Sequence, residues 1–243
     1  MGDPALMPGV SAVTTLIVNG SVALTLGVVA AIIKEEPASI TDEKAVWGPL
    51  TQPLWLHTFQ FTMTQKDGLF SYVLERKSKS GGDGFVAVLT GSHNPKLANA
   101  SGDFVLGAMD EGGRAEVSYQ RSRNGDVQLQ IGFRDQTKGS PDSDYKFSQA
   151  VGGDGQFEFV VNSDFDRKSA KTERLAVKSR WHDDGSGRAD VTIVGGDTQK
   201  EVRFTECWDK ALARSHYADT VALFPAEGAA TDCTFSDASF SAL

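Results

Sequence analysis

The sequence predicts a mainly β protein: an antiparallel up-and-down meander of about ten strands, forming a curved sheet or half-barrel around one N-terminal apolar helix. Three observations carry this expectation. Residues 10–33 form one long uncharged, apolar stretch. From residue 54 to residue 207 the pattern changes to a two-residue alternation, broken by Gly, Asp and Asn turns. All connections in that region are of hairpin length, so no parallel crossover of a dozen or more residues is needed.

The helix is placed at residues 10–36. Val18, Val22, Leu26, Val29 and Ile33 repeat on one face, and Ile17, Leu24, Val28 and Ile32 fill its flanks. Such a helix is enclosed by protein or by lipid. Ser11 or Thr14 is the expected N-cap, and Pro37 stops the helix. The stretch is long enough to span a bilayer, but Asn19, Gly20 and Ser21 dilute it and only Asp3 is charged upstream. Two readings follow: a buried soluble helix, or a membrane span or signal anchor. Residues 38–53 then read as a crossing loop, with Trp47 as an anchor.

The meander opens with Trp55, His57, Phe59, Phe61 and Met63 on one face and Thr58, Gln60, Thr62 and Thr64 on the other. Lys66-Asp67-Gly68 turns the chain into Phe70, Tyr72 and Leu74. Strands follow at 85–89 and 104–106. Ala115, Val117 and Tyr119 lead to Asn124-Gly125, the strongest turn signal in the chain, and Val127, Leu129, Ile131 and Phe133 answer it. Further strands centre on 145–147, 157–161, 175–181, 189–194 and 202–207. A β-sandwich with the helix outside it or in a membrane is the competing fold. Residues 208–243 read as an irregular tail with a short helix at 211–217.

The 243 residues, with a 40% apolar and 23% charged composition, suit one domain over 1–243. A formal charge of −8 argues against nucleic acid or anionic membrane surfaces as the main partner. Cys207 and Cys233 are the two cysteines. Paired, they would close a loop worth roughly 3–4 kcal/mol and imply an oxidising, periplasmic compartment; the other reading is two reduced core thiols. No ligand-spaced Cys/His set is present, so neither a metal nor a cofactor is expected.

Four motifs carry residues capable of chemistry. Asn162, Asp164, Asp166 and Glu173 occupy positions 1, 3, 5 and 12 of a calcium-loop pattern, but Arg167 stands where glycine is required, so an acidic hairpin loop is the better reading. His182-Asp183-Asp184 and Asp190 flank a Gly185-Ser186-Gly187 turn without a nucleophile elbow, and Arg188 and Asp190 are spaced to share one strand face and pair across strands. Gly81-Gly82-Asp83-Gly84 precedes a strand and lacks the helix and lysine of a nucleotide loop. His57, among the aromatic residues Trp55, Phe59 and Phe61, is either a core histidine bonded to a carbonyl or, with those three, part of a ligand site. Trp181 and Trp208 read as sheet anchors.

The order of elements from Thr14 to Cys207 resembles the LolA/LolB class of periplasmic lipoprotein carriers, which wrap an incomplete antiparallel barrel around helices and hold acyl chains. The segment from Gly187-Arg188-Ala189-Asp190-Val191 through Glu206-Cys207-Trp208-Asp209 is also similar to uncharacterised exported bacterial lipoproteins, though no lipobox cysteine lies near the N-terminus. With the one-sided aromatic alternation of Trp55–Met63 and Phe157–Phe159 opposite an apolar helix, and with the cysteine pair, the resemblance points to a non-enzymatic, periplasmic or outer-membrane-associated binding or carrier protein. Its partner would be a lipid or other hydrophobic small molecule, or alternatively another envelope protein. A hydrolase is the third reading.

Overall fold

The computed structural model describes residues 3–82, 84–95, 99–107, 113–135, 142–164, 171–198 and 200–240. Side chains at 17, 21–26 and 28, which include the predicted Ile17, Val22, Leu24, Leu26 and Val28, lie outside the described set. The helix α1 runs Met7–Ile32, starting three residues before the apolar stretch because Pro8 fits its first turn. Strands follow in chain order: β1 (Ser39–Ile40), β2 (Lys44–Leu50), β3 (His57–Lys66), β4 (Leu69–Ser78), β5 (Val86–Asn94), β6 (Asn99–Gly107) and β7 (Gly113–Ser122). The second half is β8 (Val127–Asp135), β9 (Ser143–Gln149), β10 (Gly155–Ser163), β11 (Glu173–Trp181), β12 (Gly187–Gly195), β13 (Val202–Trp208) and β14 (Arg214–Asp219).

The fourteen strands among the described residues belong to one sheet, in sequence order and antiparallel throughout. This bears out the meander and rules out the sandwich. The expected count of ten is too low for two reasons. Residues 38–53 are not a plain crossing loop but hold β1 and β2, with Trp47 as the predicted anchor, its Nε1 donating to the Glu35 carbonyl at 3.0 Å. Residues 211–217, expected as a short helix, belong largely to β14, so the tail is shorter than expected. The sheet does not close into a barrel, as its order ends at β1 on one side and β14 on the other.

Turn chemistry sets the registers. Asp67 and Gly68 both take positive φ, 53° and 79°, as a two-residue hairpin of the twist-matched kind requires. Gly125 takes φ 102° after Asn124 in the β7–β8 hairpin. The resulting registers line up a cross-strand row of Phe104, Val117, Ile131, Tyr145 and Phe159 on the inner face. That row packs with Phe61, Leu74 and Leu89 and with Val18 and Ile32 of α1 into one core.

Three ties locate the helix. Its start is bound to Glu206 on β13, Ser11 Oγ donates to Ser179 Oγ on β11 at 3.0 Å, and its exit is bound to Trp47 on β2. Strands β2 and β13 would lie roughly 53 Å apart in a flat sheet, at about 4.8 Å per strand. The 26-residue helix is only about 39 Å long. The sheet therefore bends around the helix, which crosses its inner face from one side to the other. One helix face stays outside this contact: Leu6, Val10, Val13 and Leu16 are exposed.

Cys207 and Cys233 form a disulfide with a Cα–Cα distance of 5.3 Å. It holds the tail against the outer face of the sheet. Arg188 donates to the Phe235 and Ser236 carbonyls, Asp190 accepts the Ala238 N–H at 2.9 Å, and the Phe235 ring stacks on His182 at 4.2 Å. Tyr217 and Glu227 exchange both backbone hydrogen bonds, so tail backbone also pairs with the β14 edge there.

Candidate functional site

The inner face of β10–β13 carries an alternating row in register: Gly155, Trp181, Gly187 and Trp208. Each indole lies on a neighbouring glycine. A Cβ at Gly155 would sit 2.3 Å from the Trp181 ring, and one at Gly187 2.5 Å from the Trp208 ring. Glycine thus lets two large rings lie down on the sheet instead of standing off it. Trp208 Nε1 donates to the Gly185 carbonyl at 2.8 Å, which fixes its ring and satisfies its one polar atom.

Opposite this row runs the first half of α1. Gly9, Ala12 and Gly20 keep that flank of the helix low, and Leu16 rises beside it. Between helix and sheet lies an open groove of about 780 Å³, with Leu212 also in its lining. Its walls are apolar apart from Ser11, Thr15 and Asn19, spaced one helical turn apart along α1. The volume falls in the range that holds small-molecule ligands.

The groove depends on how α1 is held. Glu206 is buried; its Oε2 accepts the Leu6 and Met7 N–H groups at 2.9 and 2.6 Å, and its Oε1 accepts from Arg214 Nε at 2.8 Å. The carboxylate caps the helix and complements its dipole. The predicted caps are thereby corrected: Ser11 lies inside the helix, facing Ser179, and the first-turn donors are met from β13. On the other flank of this cap a second cavity of about 380 Å³ is lined by Leu6, Phe204, Arg214, Tyr217 and Phe224.

Tyr145 is fully buried beneath the helix and burial pushes its hydroxyl up to about 12, the nearby Thr15 hydroxyl pulling weakly the other way. Tyr145 Oη, Thr15 Oγ1 and Asn19 Oδ1 have no partner in hydrogen-bonding geometry among the described residues. The outer face has its own hollow of about 640 Å³, but its lining is charged and largely self-paired, as in Arg134–Asp144 at 2.6 Å.

The predicted ligand residues sit elsewhere. Phe61 is in the core against Trp47 and Tyr72. Trp55, His57 and Phe59 cluster at the far side of the sheet, where His57 Nε2 faces the Arg76 guanidinium at 3.4 Å in place of a backbone carbonyl. None of the four lines the 780 Å³ groove. The calcium pattern is not brought together. Ser163 pairs with Glu173 and Asn162 with Arg174, so Asn162 and Glu173 point to opposite faces of the sheet. Asp166 lies outside the described residues, as does Asp83 of the glycine loop. His182 bonds Asp154 at 2.7 Å across the neighbouring hairpin and Asp184 accepts from Ser186. Arg188 and Asp190 pair with each other along β12 rather than across strands, while Asp190 also accepts from Thr205 of β13 at 2.7 Å.

Sequence reasoning saw Trp181 and Trp208 as anchors but missed the site they form. The available signal was that each is followed or faced by glycines at strand ends, Gly155 and Gly187. Among the described residues no group of three His, Cys, Asp or Glu side chains is placed to hold a metal, and no helix is long and apolar enough to cross a membrane. Comparison with protein-family models, curated proteins and solved structures finds no match to this chain.

Proposed function

We propose that the protein is an exported, non-enzymatic carrier or binding protein that takes a lipid acyl chain or similar hydrophobic ligand between α1 and the tryptophan row. The observation that carries this reading is the apolar groove of about 780 Å³, walled by Trp181 and Trp208 on one side and a low helix flank on the other. Each buried methylene of a chain lying there would contribute about 0.8 kcal/mol. The Cys207–Cys233 disulfide is consistent with an oxidising, extracytoplasmic compartment.

The exposed apolar face of α1 favours a second reading, an interaction module of the cell envelope. Leu16 is 73% exposed and Val13 55%, more than a groove-lining role needs. Native mass spectrometry with organic extraction of the purified protein separates the two. A co-purifying lipid-sized mass, lost on delipidation and restored by added fatty acid, supports the carrier. Protein that carries no such mass and takes up no fatty acid overturns it in favour of the interaction module.

A further inference from the structure

Among the described residues, the two most exposed large aliphatic side chains lie at the opposite side of the sheet from the groove. Leu54 is 95% exposed and Leu56 79%, in the Pro53-Leu54-Trp55-Leu56 segment joining β2 to β3. Trp55 leans edge-on against Phe59 at 5.6 Å, which stiffens the loop from within. Antiparallel pairing brings the end of β4 beside it: Thr58 faces Lys77 and His57 faces Ser78. Lys79 then locks onto the loop itself, its N–H donating to the Leu56 carbonyl at 3.2 Å and its Nζ to the Gln52 carbonyl at 2.5 Å. Val86, paired with Arg76 on the next strand, adds another exposed aliphatic side chain.

From this juxtaposition we propose that the 53–56 loop is a membrane-contact element, which seats Leu54 and Leu56 in an anionic bilayer while Lys77 and Lys79 meet the lipid phosphates. A tryptophan between two leucines suits the headgroup boundary, where an amphipathic ring is stable. The cations stand where insertion would bring anionic headgroups. The partner is an anionic surface because Lys77 and Lys79 border the loop; the formal charge of −8 opposes such a surface everywhere else, so contact is confined to this rim. Glu75 also lies on β4, but farther from the loop along the strand. The contact does not depend on the groove and stands whether or not a chain binds there.

The test is co-sedimentation of the full chain with phosphatidylcholine vesicles, with and without phosphatidylglycerol. Binding is expected to rise at least tenfold with phosphatidylglycerol and to weaken with added salt. L54S/L56S is expected to lose binding at least tenfold to the anionic vesicles. K77E/K79E is expected to lose at least about twentyfold, about 1 kcal/mol or fivefold per lysine removed, and to erase the preference for phosphatidylglycerol. V151S, at an exposed aliphatic residue in the distant β9–β10 hairpin, serves as the control and is expected to bind as the parent does. Thermal melts of each variant confirm that the fold is kept. Absence of binding to either vesicle overturns the proposal, as do equal binding to both or wild-type binding by a folded L54S/L56S variant; in the first case the loop faces a protein partner instead.

Discussion

Glu206 caps α1 across 199 positions of sequence, its Oε2 accepting the Met7 N–H at 2.6 Å while Oε1 holds Arg214. One buried carboxylate thus joins the helix start to β13 and β14 and fixes the end of the groove. Glu206→Ala leaves Arg214 with the more exposed Glu227 and removes the helix cap. A loss of about 3–5 kcal/mol is expected in denaturant unfolding, the range for breaking one side of a buried ion pair. A loss below about 1 kcal/mol would show that the helix is held by packing alone.

The glycine seats make a second prediction. In Gly187→Ala the new Cβ would meet the Arg180 carbonyl and the Trp208 ring at 2.5 Å. The ring must lift from the sheet, at an expected cost of about 1–3 kcal/mol, and the groove narrows. Gly82→Ala, whose Cβ meets nothing within 4 Å, is expected to leave the melting curve unchanged.

The tail gives a third. Replacing Cys207 and Cys233 by serine removes a cross-link of sequence separation 26, a loss of about 3.5 kcal/mol on the chain-entropy account. Limited proteolysis is then expected to cut first after residue 219, because the hold of Arg188 and Asp190 on the last residues no longer has a covalent companion. Unchanged proteolysis would mean that the side-chain contacts suffice.

Tyr145 and Tyr72 supply a pH dependence. Burial raises both hydroxyls from 10 to about 12, and neighbouring Tyr119 and Asp103 add to the effect at Tyr72. Below pH 10 both folded and unfolded states hold these protons, so the contribution to stability is complete. Between about pH 10 and 12 the unfolded chain ionises first, and stability falls as pH rises. Tyr145→Phe is expected to flatten that alkaline decline. It also removes a buried hydroxyl with no hydrogen-bond partner among the described residues, so a gain of about 1 kcal/mol at neutral pH is expected.

The meander was legible because strand alternation and hairpin turns are local signals: Asp67-Gly68 and Asn124-Gly125 name their own turns. The helix was legible as apolar but not in its attachments. Its cap comes from Glu206, which no local pattern links to Met7, and β14 was misread because Arg214–Asp219 gains strand geometry from pairing with β13. The candidate site was the least legible part. The aromatic face of Trp55–Phe61 drew attention by its pattern, yet Phe61 is consumed by the core. Trp181 and Trp208 come together only through registers that place glycines between them.

The most direct test of the groove is tryptophan quenching by a dibrominated stearate, read in two reporter variants. One retains Trp181 and Trp208 with Trp47→Phe and Trp55→Phe; the other retains Trp47 and Trp55. Saturable quenching of the first reporter, reversed by unlabelled oleate, with little quenching of the second, is the predicted result. Equal quenching of both, or quenching that never saturates, would contradict a ligand seated between α1 and the tryptophan row.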